Sequence, residues 1–122
     1  QVRYASRASS YGPDYARKLI ETYPNIWFDT AFGTYNSFYP GSQERHARVW
    51  ESDGVVKKEW RELIERHPWR FLAALDLGGD RMDEIVKKMS GYRIFLNNFT
   101  KETQAILAYR AAWKLLFSEE LA

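Results

Sequence analysis

Two short apolar runs in this chain end on aspartate. One is Ile26-Trp27-Phe28-Asp29-Thr30; the other is Arg70-Phe71-Leu72-Ala73-Ala74-Leu75-Asp76, followed by Leu77-Gly78-Gly79. The middle of a buried strand is a costly place for a carboxylate, whereas parallel barrels and open α/β sheets hold their chemistry at the C-terminal ends of strands. A carboxylate at such an end can ligate a metal or accept a proton from a nucleophile. The two histidines, His46 and His67, are further candidates for that chemistry. His46 lies in a long irregular segment, where substrate contact is favoured over metal binding. His67 closes a helix ahead of Pro68, and the helix dipole and packing account for it.

The elements around these residues follow from periodicity and punctuation. Residues 1–12 read as a strand end and a loop, and Pro13 with Asp14 opens a helix. That helix presents Tyr15, Leu19, Ile20 and Tyr23 on one face and stops at Pro24. The strand Ile26–Asp29 follows. Residues 30–52 form a long irregular loop, a length that is usually functional. Ser52 or Asp53 is placed to cap a second helix with the stripe Val56, Trp60, Leu63, Ile64 and His67. Pro68 ends it, and the strand Phe71–Asp76 follows. Asp80 resembles an N-cap for a helix carrying Met82, Ile85, Val86 and Met89, which Gly91 is placed to end. Thr100 caps the last helix, with Ile106, Leu107, Tyr109, Trp113 and Leu116 as its expected buried side. Strands alternating with helices predict parallel pairing, yet two clear strands are few for a free-standing sheet.

Composition narrows the function. The 122 residues suit one small domain, and a formal charge of +2 from 18 basic and 16 acidic residues shows no basic block of the kind that binds nucleic acid. Aromatics are abundant, with five Trp, eight Tyr and seven Phe, mostly as core material. The absence of cysteine excludes disulfides and thiolate chemistry and fits a reducing compartment, the cytoplasm. No apolar run is long enough to span a bilayer. The opening Gln1-Val2-Arg3-Tyr4 is neither a signal peptide nor an initiator start, which suggests a processed, trimmed or incomplete chain.

Three pieces taken together resemble a known family: Tyr23-Pro24-Asn25-Ile26-Trp27-Phe28-Asp29, Asp53-Gly54-Val55-Val56-Lys57-Lys58-Glu59-Trp60, and His67-Pro68-Trp69-Arg70-Phe71 running into Leu75-Asp76. In order and spacing, from about Pro13 to Leu116, they look like the C-terminal part of the amidohydrolase-related enzymes, which are TIM-barrel, metal-dependent hydrolases and decarboxylases. The resemblance implies an α/β fold: an incomplete (β/α)8 barrel, its last two or three βα units with parallel strands plus C-terminal helices, as one partial domain over 1–122. It implies that the strand ending in Asp29 is the seventh and the strand ending in Asp76 the eighth. Asp76 then takes the role of the family's metal-site aspartate, ligating a divalent metal, commonly zinc, or accepting a proton from metal-bound water. Asp29, His46 and Trp50 would face a small-molecule substrate, with Phe32, Tyr35, Phe38 and Tyr39 lining the pocket.

Departures limit that implication. The family's H-x-H pair and its later metal-binding histidines have no counterpart here, and Tyr4-Ala5-Ser6-Arg7 stands where a sixth strand would end in histidine. Arg110, in Tyr109-Arg110-Ala111-Ala112, replaces the family's usual Asn. A catalytic metal needs three or four protein ligands, so this polypeptide alone is expected to bind no metal and to be no competent metallohydrolase. Two other readings stand beside this one. The chain is a non-catalytic interaction or structural α/β module, or Asp29 and Asp76 act as a carboxylate acid/base pair at a separation the sequence does not set. Aspartate at a Gly-Gly turn also has a purely local role, bonding to its own turn. Exposed strand edges would favour homo-oligomers.

Overall fold

The computed structural model describes residues 12–31 and 49–122. Helix α1, Pro13–Thr22, begins as expected with proline in its first turn, and the amides of Tyr15 and Ala16 both bond the Gly12 carbonyl, at 3.1 and 3.2 Å. Its buried residues are Ala16 and Ile20, with Leu19 packed beside them; Tyr15 and Tyr23 face solvent. Strand β1, Phe28–Asp29, follows, and pairs in parallel with β4, Phe71–Leu72. Their register sets Phe28 against Phe71 and Asp29 against Leu72. The rings of Phe28 and Phe71 stack 5.5 Å apart, and both side chains are buried.

Between those strands lie a hairpin and a helix. Strands β2, Trp50–Ser52, and β3, Val55–Val56, pair antiparallel around Asp53-Gly54, where Gly54 takes a φ of 79°. The helix expected to start from a cap at Ser52 or Asp53 therefore begins later, as α2, Lys58–Arg66. Asp-Gly is a strong hairpin-turn signal, because glycine enters the left-handed region without the Cβ clash. Trp60, Leu63 and Ile64 of α2 are buried as anticipated. After a 3₁₀ turn at Pro68–Arg70, β4 is short. Extended pairing stops at Leu72, four residues before Asp76, and on the side away from β1 the Ala73 amide bonds the Leu107 carbonyl, at 3.0 Å.

Beyond β4 a 3₁₀ segment, Gly79–Glu84, leads into α3, Ile85–Leu96, which runs straight through Gly91 rather than ending there. Met82, Ile85, Val86 and Met89 lie exposed, and the face of α3 turned to the core is Tyr92, Phe95 and Leu96. Thr100 caps α4, Lys101–Ala105, its hydroxyl accepting from the Thr103 amide at 3.3 Å. Glu65 of α2 supplements that cap, accepting from the Thr100 amide at 2.7 Å and the Thr103 hydroxyl at 2.6 Å. A π-turn, Ile106–Arg110, joins α4 to α5, Ala111–Phe117. The π-turn aligns Ala111 with Ile106, so the residues buried here are Ile106, Leu107 and Ala111, while Tyr109, Trp113 and Leu116 face outward.

The sheets among the described residues are two, β1–β4 and β2–β3, each of two strands. One core joins them, built from Phe28, Phe71, Val49, Trp50, Trp60 and Phe95 with their aliphatic neighbours. Asn98 ties the hairpin to α3: its side-chain amide accepts from the Val56 amide and donates to the Gly54 carbonyl, both at 3.0 Å.

Candidate functional site

Parallel pairing sends β1 and β4 out at the same end, and the polar groups there belong mainly to residues just past the strands. Thr30 follows β1 directly and is completely buried. Its amide and hydroxyl both donate to the Leu72 carbonyl of β4, at 2.9 and 2.8 Å. With its single proton given to Leu72, the hydroxyl accepts from its other partner, the Tyr92 phenol of α3. Burial pushes the Tyr92 hydroxyl up to about 12, and the nearby Asp29 carboxylate adds to the effect. Hydrogen bonding from Thr30 would work the other way, but that proton is committed to Leu72. Asp29 is half-buried, and its carboxylate accepts from the Ala31 amide at 3.3 Å.

Asp76 lies four residues beyond the strand, exposed, with a φ of 53°. Aspartate tolerates this left-handed conformation better than most residues. The Asp76 carbonyl accepts from the Arg81 guanidinium at 2.9 Å, which fastens the Leu77-Gly78-Gly79 bend to the following 3₁₀ turn. Trp50 is buried in the core and meets Phe95 edge-on at 6.0 Å, and Phe95 in turn contacts Tyr92 at 5.4 Å. Trp50 thus backs the strand end through two aromatic rings. His46 lies outside the described residues, as do Phe32, Tyr35, Phe38 and Tyr39. His67 closes α2, its amide bonding the Leu63 carbonyl at 3.0 Å. Its Nε2 is buried without a hydrogen-bond partner among the described residues, and burial, with Arg66 and Arg70, holds its pKa below the ordinary value against the pull of Glu21.

The opposite end of the strand pair is built differently. Arg70, at the entry to β4, donates to the carbonyls of Ile26 at 2.7 Å, Ile20 at 3.3 Å and Tyr23 at 2.5 Å, and lies over the Trp27 ring. It thereby satisfies the C-terminal carbonyls of α1 and fixes the turn into β1. Trp27, Trp69, Arg70, Lys114 and Leu115 line an open cavity of about 430 Å³ here. The residues before β1 and β4 contribute to it, so it lies away from Asp29 and Asp76. Arg110 explains itself at this end: it stacks over Trp69 and donates to the Leu121 carbonyl at 2.5 Å, holding the chain that follows α5.

The residues missed in reading the sequence are Thr30, Tyr92 and Arg70. Thr30 closes the apolar run that carries Asp29, and a hydroxyl at that position was the available signal. Tyr92 and Arg70 carried none, because their partners are 62 and 44 residues away. Among the described residues no three His, Asp or Glu side chains converge as a metal site would require. No family model, no curated protein and no solved structure matches the chain. No helix among the described residues is long and apolar enough to cross a membrane.

Proposed function

We propose that this chain is the C-terminal part of a metal-dependent, amidohydrolase-type hydrolase or decarboxylase, contributing Asp76 to an active site completed by residues outside it. The observation that carries the reading is the parallel β1–β4 pair with a helix in the connection, which places Asp29 at the strand end from which the chain also runs on toward Asp76. In this reading Asp76 supplies a metal ligand or proton acceptor, and Asp29 with His46 faces a small-molecule substrate. Trp50, being buried, supports that end rather than touching the substrate. The described residues alone do not fit a catalytic divalent ion such as zinc: one exposed carboxylate falls short of the three or four ligands needed. The chain by itself is therefore read as inactive, and its cytoplasmic placement rests on the lack of cysteine.

The coding sequence upstream of Gln1 tests this reading. Continuation into βα units bearing H-x-H and later histidines supports it; a start codon directly ahead of Gln1 overturns it for this chain. Tight stoichiometric zinc on the purified 122-residue protein would refute the ligand count. One observation favours a second reading, a self-contained α/β module: the outward-facing amides of Phe71 and of Ala73, just past β4, are already satisfied from within the chain.

A further inference from the structure

In a parallel strand, successive residues point their amide groups to opposite edges. Leu72 faces β1, since its carbonyl accepts from the Thr30 amide at 2.9 Å. Phe71 and Ala73 on either side of it therefore direct their amides to the outer edge of β4. Both are taken. The Phe71 amide bonds the Pro68 carbonyl of the preceding 3₁₀ turn, and the Ala73 amide bonds the Leu107 carbonyl at 3.0 Å.

The second bond depends on the π-turn. In an α-helix the Ala111 amide would bond Leu107, four residues back. Here it bonds Ile106, five back, and the Leu107 carbonyl is left to reach across to Ala73. Leu107 is fully buried, so its position against β4 is held by packing as well as by the bond. We propose that this π-turn is an edge cap: the Leu107 carbonyl occupies the place of a neighbouring strand's acceptor and prevents a second copy of this chain from adding at the outer edge of β4. Open strand edges invite such pairing, and covering them is a common protection. Wide helical turns often mark functional positions rather than accidents. The cap does not depend on the barrel reading. It constrains that reading, because a strand closing a barrel here must stop short of Ala73 or displace Leu107.

The full 122-residue protein, labelled with ¹⁵N and ¹³C, gives a direct test through scalar coupling across the hydrogen bond. Coupling between the Ala73 nitrogen and the Leu107 carbonyl carbon is expected, and coupling of Ala73 to another carbonyl overturns the proposal. Deleting Ala108, an exposed residue of the π-turn, tests the role of the cap. With one residue fewer, Ile106 and Ala111 become α-helical partners and Ala112 claims the Leu107 carbonyl. Exchange protection at the Ala73 amide should then fall by about fivefold or more, the equivalent of one ordinary hydrogen bond, while the Thr30 amide keeps its protection. Sedimentation should show stronger self-association than in the parent. Unchanged Ala73 protection, or unchanged association in a variant with native circular dichroism, overturns the proposal. Where the deletion fails to fold, the coupling measured on the parent decides, and its absence between the Ala73 nitrogen and the Leu107 carbonyl carbon overturns the proposal.

Discussion

Ionisation of Tyr92 should unfasten the end of the strand pair. The phenol donates to Thr30, whose own proton is spent on Leu72, so an ionised Tyr92 would face a lone pair and the Asp29 carboxylate with no donor. Burial pushes this group from 10 up to about 12. Because the folded value lies above the unfolded one, the contribution is intact below pH 10 and is lost as the pH rises toward 12. Two pH units correspond to about 3 kcal/mol, an upper figure for a group that retains some solvent contact. Phenolate absorbance during an alkaline titration should show a step toward pH 12, together with unfolding, that Tyr92→Phe removes. Tyr92→Phe keeps the ring contact with Phe95 and loses one hydrogen bond, costing about 1 kcal/mol or roughly 4 °C in Tm. Thr30→Val strands the buried phenol and costs about 2 kcal/mol, and the double variant should cost about 1 kcal/mol less than the sum. Additive losses, or titration of Tyr92 at the ordinary value of 10, would refute the reasoning.

Two further outcomes follow from the other end of the molecule. Arg70→Lys keeps the charge but cannot reach three carbonyls from one ammonium, so urea unfolding should show a loss of about 2 kcal/mol, with α1 opening first in hydrogen exchange; a variant as stable as the parent would remove Arg70 from this role. The His67 pKa is lowered in the fold, chiefly by burial, so the unfolded chain takes its proton first as the pH drops below 6.5. The parent should lose stability from that point downward, and His67→Gln should flatten the decline; identical slopes in the two proteins would show that His67 contributes nothing to it.

Much of the local structure was legible. Pro13, Pro24, Pro68 and Thr100 mark the helix boundaries they were assigned, since proline's missing donor and a hydroxyl cap act over a few residues. Asp53-Gly54 was misread as the approach to a helix, although its turn chemistry is local. The exposed faces of Met82 to Met89 and of Tyr109 to Leu116 were not legible, because periodicity shows that a helix has an apolar side without showing what meets it. Of the candidate site, the place of Asp29 at a strand end was legible, while the fastening of that end through Thr30 and Tyr92 was not.

Sequence alone determined the short-range features: the proline stops, the Thr100 cap, the apolar runs ahead of Asp29 and Asp76, and the absence of cysteine. Each follows from sterics, hydrogen bonding or hydrophobicity within a few bonds of the residue concerned. Tertiary structure alone decided where extended pairing stops, which tyrosine is held neutral and which carbonyl caps β4. Those outcomes depend on backbone groups that every residue carries, and only the packed fold chooses among them, by leaving each buried donor a single acceptor within reach.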